Sequence, residues 1–149
     1  MYKRQEVAKE GAAFQARLKK HGMLVVKGKG GFGPQDAKGP LPVVVMNYMD
    51  VNPYRTAEYE RVELEDFMPA HKASGNQKGW VLSKIVNRFG TEEMANYITS
   101  DFYPDLKTLY NVRAMSSEIP EEQIEAWEAM DELRTLKKSH IFTLVAFER

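Results

Sequence analysis

His71, Asn47 and Tyr97 are polar, chemically able residues set among apolar neighbours. His71 shares a stripe with Leu64, Phe67 and Met68 at the i, i+3, i+4, i+7 spacing of one helix face. An imidazole there titrates near neutrality and could act as general acid or base. The plainer alternative is a half-buried histidine bonded to a backbone carbonyl or a carboxylate. Asn47 breaks the apolar run from Val43 to Val51. A buried amide must be hydrogen-bonded, so it faces a polar pocket, where it would orient a substrate oxygen, or a cross-strand partner. Tyr97 and Trp80 fall on neighbouring strands and could wall a flat aromatic pocket, Tyr97 polarising an oxygen and Trp80 stacking. The same two rings would serve equally in a core or a subunit interface. Tyr48 and Phe67 complete the candidate substrate-contacting set, although Tyr48 has the opposite parity to Asn47, so at most one of them faces a given cavity.

Several chemistries are excluded or disfavoured. The chain has no cysteine, so disulfides, thiolate metal sites and Cys nucleophiles are absent. His21, His71 and His140 lie on three different elements without His-x-x-x-His or Glu-x-x-His spacing, so neither a metal nor a cofactor is expected. Lys+Arg and Asp+Glu are both 21, which argues against broad capture of nucleic acid or an anionic membrane and leaves self-association unopposed by charge. The glycine cluster Gly28, Gly30, Gly31 and Gly33 follows an extended segment, but Pro34, Pro40 and Pro42 come next and no Gly-Lys-Ser/Thr is present. A phosphate cradle needs a helix N-terminus there, so the cluster reads as a mobile linker or hairpin tip. No apolar run approaches the ~20 residues of a membrane span, and the N-terminal residues lack a signal-peptide core. The default expectation is a soluble, cytoplasmic protein.

These residues must be positioned by elements that the sequence also outlines. A helical pattern over 5–20 ends at Gly22, and Met23 to Val26 reads as a short strand or extended segment. Residues 1–42 thus form a helical extension and Gly/Pro-rich linker, and 43–149 a single domain. That domain opens with the strand at 43–51. Asn52-Pro53 then leads into a helix over 56–73, in which Pro69 predicts a kink through its missing bond to Glu65. Strands are expected over 79–89 and 95–103, joined by a turn at 90–93. A short helix follows over 105–115. A second helix is capped by Ser117 and carries Trp127 as a core anchor, with Arg134, Lys137 and Lys138 near its C-terminus. The last strand is expected over 140–147.

The resulting order, β-α-β-β-α-β, is ferredoxin-like: an α+β fold with a four-stranded antiparallel sheet and both helices on one face. Both alternating sets of strand residues are largely apolar, so the face without helices needs a second cover. A copy of the same sheet would supply it, making a two-chain barrel.

The stretch Asn47-Tyr48-Met49-Asp50-Val51-Asn52-Pro53 resembles the first strand of the dimeric α/β-barrel superfamily, in particular its antibiotic-biosynthesis-monooxygenase group. There an Asn on this strand precedes a Val-x-Pro-Gly helix start; here Tyr54 replaces the glycine. The runs around Pro69-Ala70-His71, Gly79-Trp80-Val81-Leu82, Gly90-Thr91 and Asn96-Tyr97-Ile98-Thr99 are similar to uncharacterised members, and together the resemblance spans about 43–149. It implies a homodimer and a small-molecule site, with activities ranging from cofactor-independent oxygenases of quinol-like aromatics to lactone isomerases. Haem-degrading members pair the strand-one Asn with a His on the second helix. No His lies between Lys72 and Ser139, so haem is not expected. The implied reading is a cofactor-independent monooxygenase or isomerase acting on a flat aromatic or carbonyl compound, with His71, Asn47 and Tyr97 catalytic and Trp80, Tyr48 and Phe67 contacting substrate. The alternative is a non-catalytic dimeric module that uses its open sheet face for association.

Overall fold

A computed structural model describes residues 23–33, 41–89, 94–115 and 121–144. The expected helix over 5–20, the turn at 90–93, the Ser117 cap and the end of the last strand lie outside these. The described elements are β1 (Met23–Phe32), β2 (Val43–Val51), α1 (Thr56–Val62), a π-helical turn (Glu63–Phe67), α2 (Met68–Ser74), β3 (Gly79–Phe89), β4 (Tyr97–Tyr103), α3 (Leu106–Met115), α4 (Glu121–Leu133) and β5 (Arg134–Thr143).

The expected four-stranded sheet has five strands, in the order β1-β3-β4-β2-β5, all pairs antiparallel. Strands β2 to β5 with their helices keep the ferredoxin-like connectivity. The addition is β1, which pairs along β3 from Met23 to Phe32 and includes Gly28, Gly30 and Gly31 of the cluster expected to form a linker or hairpin tip. Close packing accounts for two of those glycines. A Cβ on Gly31 would lie 2.3 Å from the Trp80 carbonyl oxygen, and one on Gly30 2.6 Å from Leu64. Only bare backbone passes at Gly31, where the neighbour is the main chain of β3, whereas at Gly30 the end of the Leu64 side chain can yield. The sheet begins at Met23 rather than Val43.

The connection after β2 is built from local hydrogen bonds. Asn52 Oδ1 accepts from the Tyr54 amide at 3.0 Å, and the Arg55 amide donates to the Asn52 carbonyl at 2.9 Å. That turn delivers the chain into α1, where Arg55 grips Glu58 with two bonds of 2.8 and 2.9 Å. The distortion expected at Pro69 sits one turn earlier. The Met68 amide bonds back to the Glu63 carbonyl, five residues away. A widened π turn leaves room for the proline ring, which would otherwise press on the carbonyl four residues before it. Gly75, at φ 68°, then ends α2 in the left-handed conformation that favours glycine.

A second correction concerns the end of α4. The helix stops at Leu133, and Arg134, Lys137 and Lys138, expected in its last turns, belong to β5. The ladder to β2 starts immediately, with Val51 opposite Arg134. Hydrogen bonding to an already formed strand outweighs the helical preference of those long side chains.

Alternation sorts the sheet into two faces. Val43, Val45, Asn47, Met49 and Val51 point toward the helices. The main core beneath them joins Met49 and Val51 to Tyr59, Trp80, Tyr97 and Met130, and a second cluster around Val43 and Tyr103 packs under Leu109 of α3. The opposite face has its own apolar cluster, formed by Tyr48, Ile85, Ala95 and Ile98 with Leu24 and Met46 against it.

Candidate functional site

Strand β4 carries polar side chains inward. Its alternation puts Tyr97, Thr99, Asp101 and Tyr103 on the helix-facing side, opposite Met49, Asn47, Val45 and Val43 of β2. Asp101 is 8% exposed. Its Oδ2 accepts from Asn47 Nδ2 at 2.7 Å and its Oδ1 from Gln77 Nε2 at 2.9 Å. Asn47 Nδ2 also donates to Thr99 Oγ1 at 3.3 Å, and Asn47 Oδ1 accepts from the Ser139 hydroxyl at 2.6 Å. Gln77 Nε2 donates further to the Tyr103 hydroxyl oxygen at 3.2 Å. Ser139 is exposed, so the network runs from a buried carboxyl to solvent at the β5 edge. Burial pushes the Asp101 carboxyl up to about 7; the Asn47 bond opposes this, the Glu63 charge adds to it and Arg113 opposes it.

Glu63, on the π turn, is the second buried acid. Burial raises it above the ordinary carboxylate range, against the attraction of Arg134, whose Nε lies 3.8 Å from Glu63 Oε1. The Tyr59 hydroxyl and Arg134 Nε are buried without hydrogen-bond partners among the described residues. Burial, and then the Glu63 charge, raise the Tyr59 phenol far above its usual value.

Beside the Asp101 network stands an aromatic stack. The His71 ring lies over Trp80 with centroids 5.9 Å apart and planes at 29°. Phe67 sits 6.4 Å from His71 and meets Trp127 edge-on at 5.1 Å. Trp80 is directly opposite Asp101 across the β3–β4 ladder, so stack and carboxyl are cross-strand neighbours. Burial lowers the His71 imidazole below its ordinary value, favouring the neutral ring. Its only described contacts are with rings; the carbonyl or carboxylate partner considered from the sequence is not formed among the described residues.

The expected site residues therefore separate. His71, Trp80 and Phe67 come together, and Asn47 lies with them on the helix-facing side, but it holds Asp101 and bridges β2 to β4 and β5. Tyr97 is on the same face yet four rungs from Asp101, about 13 Å along the strand. Tyr97 is 0% exposed, and its hydroxyl donates to Glu60 Oε1 at 2.6 Å. Burial, then this bond, raise its phenol. Burial alone would raise Glu60 as well, but the bonds from Tyr97 and Lys29, the latter at 2.9 Å, hold it below the usual range. Tyr48 is on the other face, under Lys138 Nζ at 4.7 Å from its ring and edge-on to His140 at 5.4 Å. It shares no surface with the rest of the set.

Asp101, Gln77, Glu63 and Arg134 were not singled out from the sequence. Asp101 had a usable signal: it shares the parity of Thr99, which pairs antiparallel with Asn47, so the carboxylate faces the same side of the sheet as Asn47. Gln77, in a loop, had none. An open concavity of about 650 Å³ lies elsewhere, along Gly28, Gly31, Gly33, Val81 and Phe102, on the side of the sheet facing away from Asp101. Among the described residues no group of three or more His, Asp or Glu is placed to hold a metal, and no helix is long and apolar enough to cross a membrane.

No protein-family model and no curated protein matches the chain. Among solved structures, the fold is similar to that of an anthrone oxidase-like protein, with a TM-score of 0.58 and 16% identity over 84% of this chain and 56% of that one. The chain thus spans little more than half the length of that protein, and the likeness is one of fold.

Proposed function

We propose that this chain is an oxidase-like enzyme that works without a bound cofactor on a flat, largely apolar aromatic ketone or phenol, held at the helix-facing side of the sheet. Asp101 is its proton acceptor. The observation that supports this reading best is the buried carboxyl itself, gripped on both oxygens by amide donors beside the His71–Trp80 stack and poised near neutrality. Asn47 orients Asp101, Trp80 and His71 offer the stacking surface, and Phe67 backs the stack. A base of this strength suits removal of an acidic C–H conjugated to a ring ketone, and the enolate formed reacts with dioxygen. For an anthrone the reaction closes: the ring CH₂ loses both hydrogens, one oxygen atom becomes the new carbonyl, and the other leaves as water. The fold likeness to an anthrone oxidase-like protein points the same way.

Oxygen uptake with anthrones and hydroquinones tests the reading. Asp101→Asn should lower turnover by about a hundredfold or more, the usual scale for a positioned base. Undiminished turnover removes Asp101 from the mechanism, and no uptake with any such compound removes the enzyme.

A second reading is favoured by the burial of Trp80 and Tyr97, at 1% and 0% exposed, whose rings fill space that a pocket would need. In that case the chain is a non-catalytic dimeric module, associating through the sheet face that bears Val44, Met46 and Phe142.

A further inference from the structure

Gln77 is 8% exposed, and its Nε2 donates to both Asp101 Oδ1 and the Tyr103 hydroxyl oxygen, at 2.9 and 3.2 Å. Its Oε1 is buried and accepts no hydrogen bond among the described residues. An unmet buried acceptor costs about 1–3 kcal/mol, and the Tyr103 hydroxyl, used as an acceptor here, donates to none of the described residues. This arrangement suits an ionised Asp101, which only accepts. It does not suit the acid, whose hydroxyl needs an acceptor where Nε2 now offers a second donor.

An amide solves this by turning. Its oxygen and nitrogen ends have nearly the same size, so half a turn about the terminal bond keeps the packing. Oε1 then accepts from the protonated Asp101 and from the Tyr103 hydroxyl together, and Nε2 moves to the vacated corner. We propose that Gln77 is the positioning residue of this carboxyl, its amide turning over as Asp101 gains or loses a proton, so that Nε2 holds the carboxylate and Oε1 holds the acid. Proton uptake and amide rotation become one event, and the carboxyl stays in place in both states.

The groups around Asp101 are consistent with such an exchange. Asn47 of β2 donates to its other oxygen, Thr99 and Tyr103 flank it on β4, and Trp80 of β3 stands opposite. Glu63 of the π turn raises its proton affinity and Arg113 of α3 lowers it, after the larger effect of burial. The Tyr103 phenol is itself raised, first by burial and then by the Asp101 charge. As a role in proton transfer the inference rests on the function proposed above; as a rearrangement of the free protein it does not.

The test uses the full chain, labelled with ¹⁵N in glutamine side chains and ¹³C in aspartate carboxyls, followed by NMR from about pH 5 to about pH 9. On the alkaline side, the Nε2 protons should show nuclear Overhauser contacts to the Tyr103 ring. Those contacts should vanish on the acid side, with the same midpoint as the Asp101 carboxyl. In Asp101→Asn the Gln77 pattern should no longer depend on pH. Gln77→Met keeps length and removes both bonds; because charge-assisted bonds are the stronger, it should raise the Asp101 midpoint, reducing its acidity about tenfold, one pKa unit. Unchanged contacts across the Asp101 titration overturn the proposal, even if the enzyme oxidises anthrones. A turning amide in a protein that consumes no oxygen upholds it and sinks only the oxidase reading.

Discussion

At the level of single residues, the buried acids make stability depend on pH in a specific direction. Asp101 titrates near 7 in the fold against an ordinary 3.8. Between about pH 4 and about pH 7 the folded state therefore binds more protons than the unfolded chain, and stability falls as pH rises through this window. Glu63, also raised, adds to the same slope. His71 acts in the opposite sense: a lowered imidazole leaves the folded state with fewer protons, so its contribution is lost as pH falls below about 6.5. Asp101→Asn removes the ionisation cost at alkaline pH. Urea titrations should show it gaining on the native protein between pH 5 and pH 8, by on the order of a few kcal/mol. An equal difference at both pH values would mean that Asp101 does not titrate in this range. His71→Phe preserves a ring against Trp80 and removes the slope that opposes the buried acids, so its unfolding midpoint should fall more steeply than the native one as pH rises from about 5 to about 7.

At the level of elements, β1 depends on glycine at one position and not at another. Gly31→Ala drives a Cβ into the Trp80 carbonyl and Val81 Cα, at 2.3 and 2.9 Å. It should cost about 1–3 kcal/mol, the range for overpacking, and speed amide exchange along β1. Gly28→Ala, with nothing within 4 Å of the new carbon, should be neutral or slightly stabilising. Equal effects of the two would contradict the packing described. The same strand marks where sequence reading reached its limit. β3 was legible to the residue, and β2 likewise, because long β-branched and aromatic runs between turn residues have few other uses. The alternation that puts Asn47 and Tyr48 on opposite faces was legible too, though not which face the helices cover. The start of β1, Met23 to Val26, was legible as a short strand or extended segment, but its continuation to Phe32 was hidden because glycine lacks β propensity, and what selects it at Gly31 is the proximity of β3, a tertiary fact. The early end of α4 was hidden for a related reason, since Arg134 and Lys137 suit a helix well and only the waiting edge of β2 draws them into a ladder. At the site, His71, Trp80 and Phe67 were found as one stripe plus a strand aromatic. Asp101 was missed although strand parity pointed to it, and Gln77 was invisible because loop residues have no period to read.

At the level of the molecule, helices cover one face of the sheet, and the other bears Tyr48, Met46 and Phe142. If two copies pair through it, light scattering should give twice the chain mass at micromolar concentration, and Phe142→Glu, 48% exposed in the single chain, should shift the equilibrium toward monomer. A monomer at all concentrations would refute the two-chain barrel. The strand order also bears on how the chain reaches this state. β2 lies between β4 and β5, and Asn47 meets Ser139 across 92 residues of sequence. Both neighbours of this apolar strand are made long after it. During synthesis Val43–Val51 must wait without a partner until β4, and then β5, has emerged, so native pairing is late and rests on distant contacts. In that interval an exposed strand edge is vulnerable to pairing with other chains, and the yield of folded protein will depend on how quickly the last strand arrives.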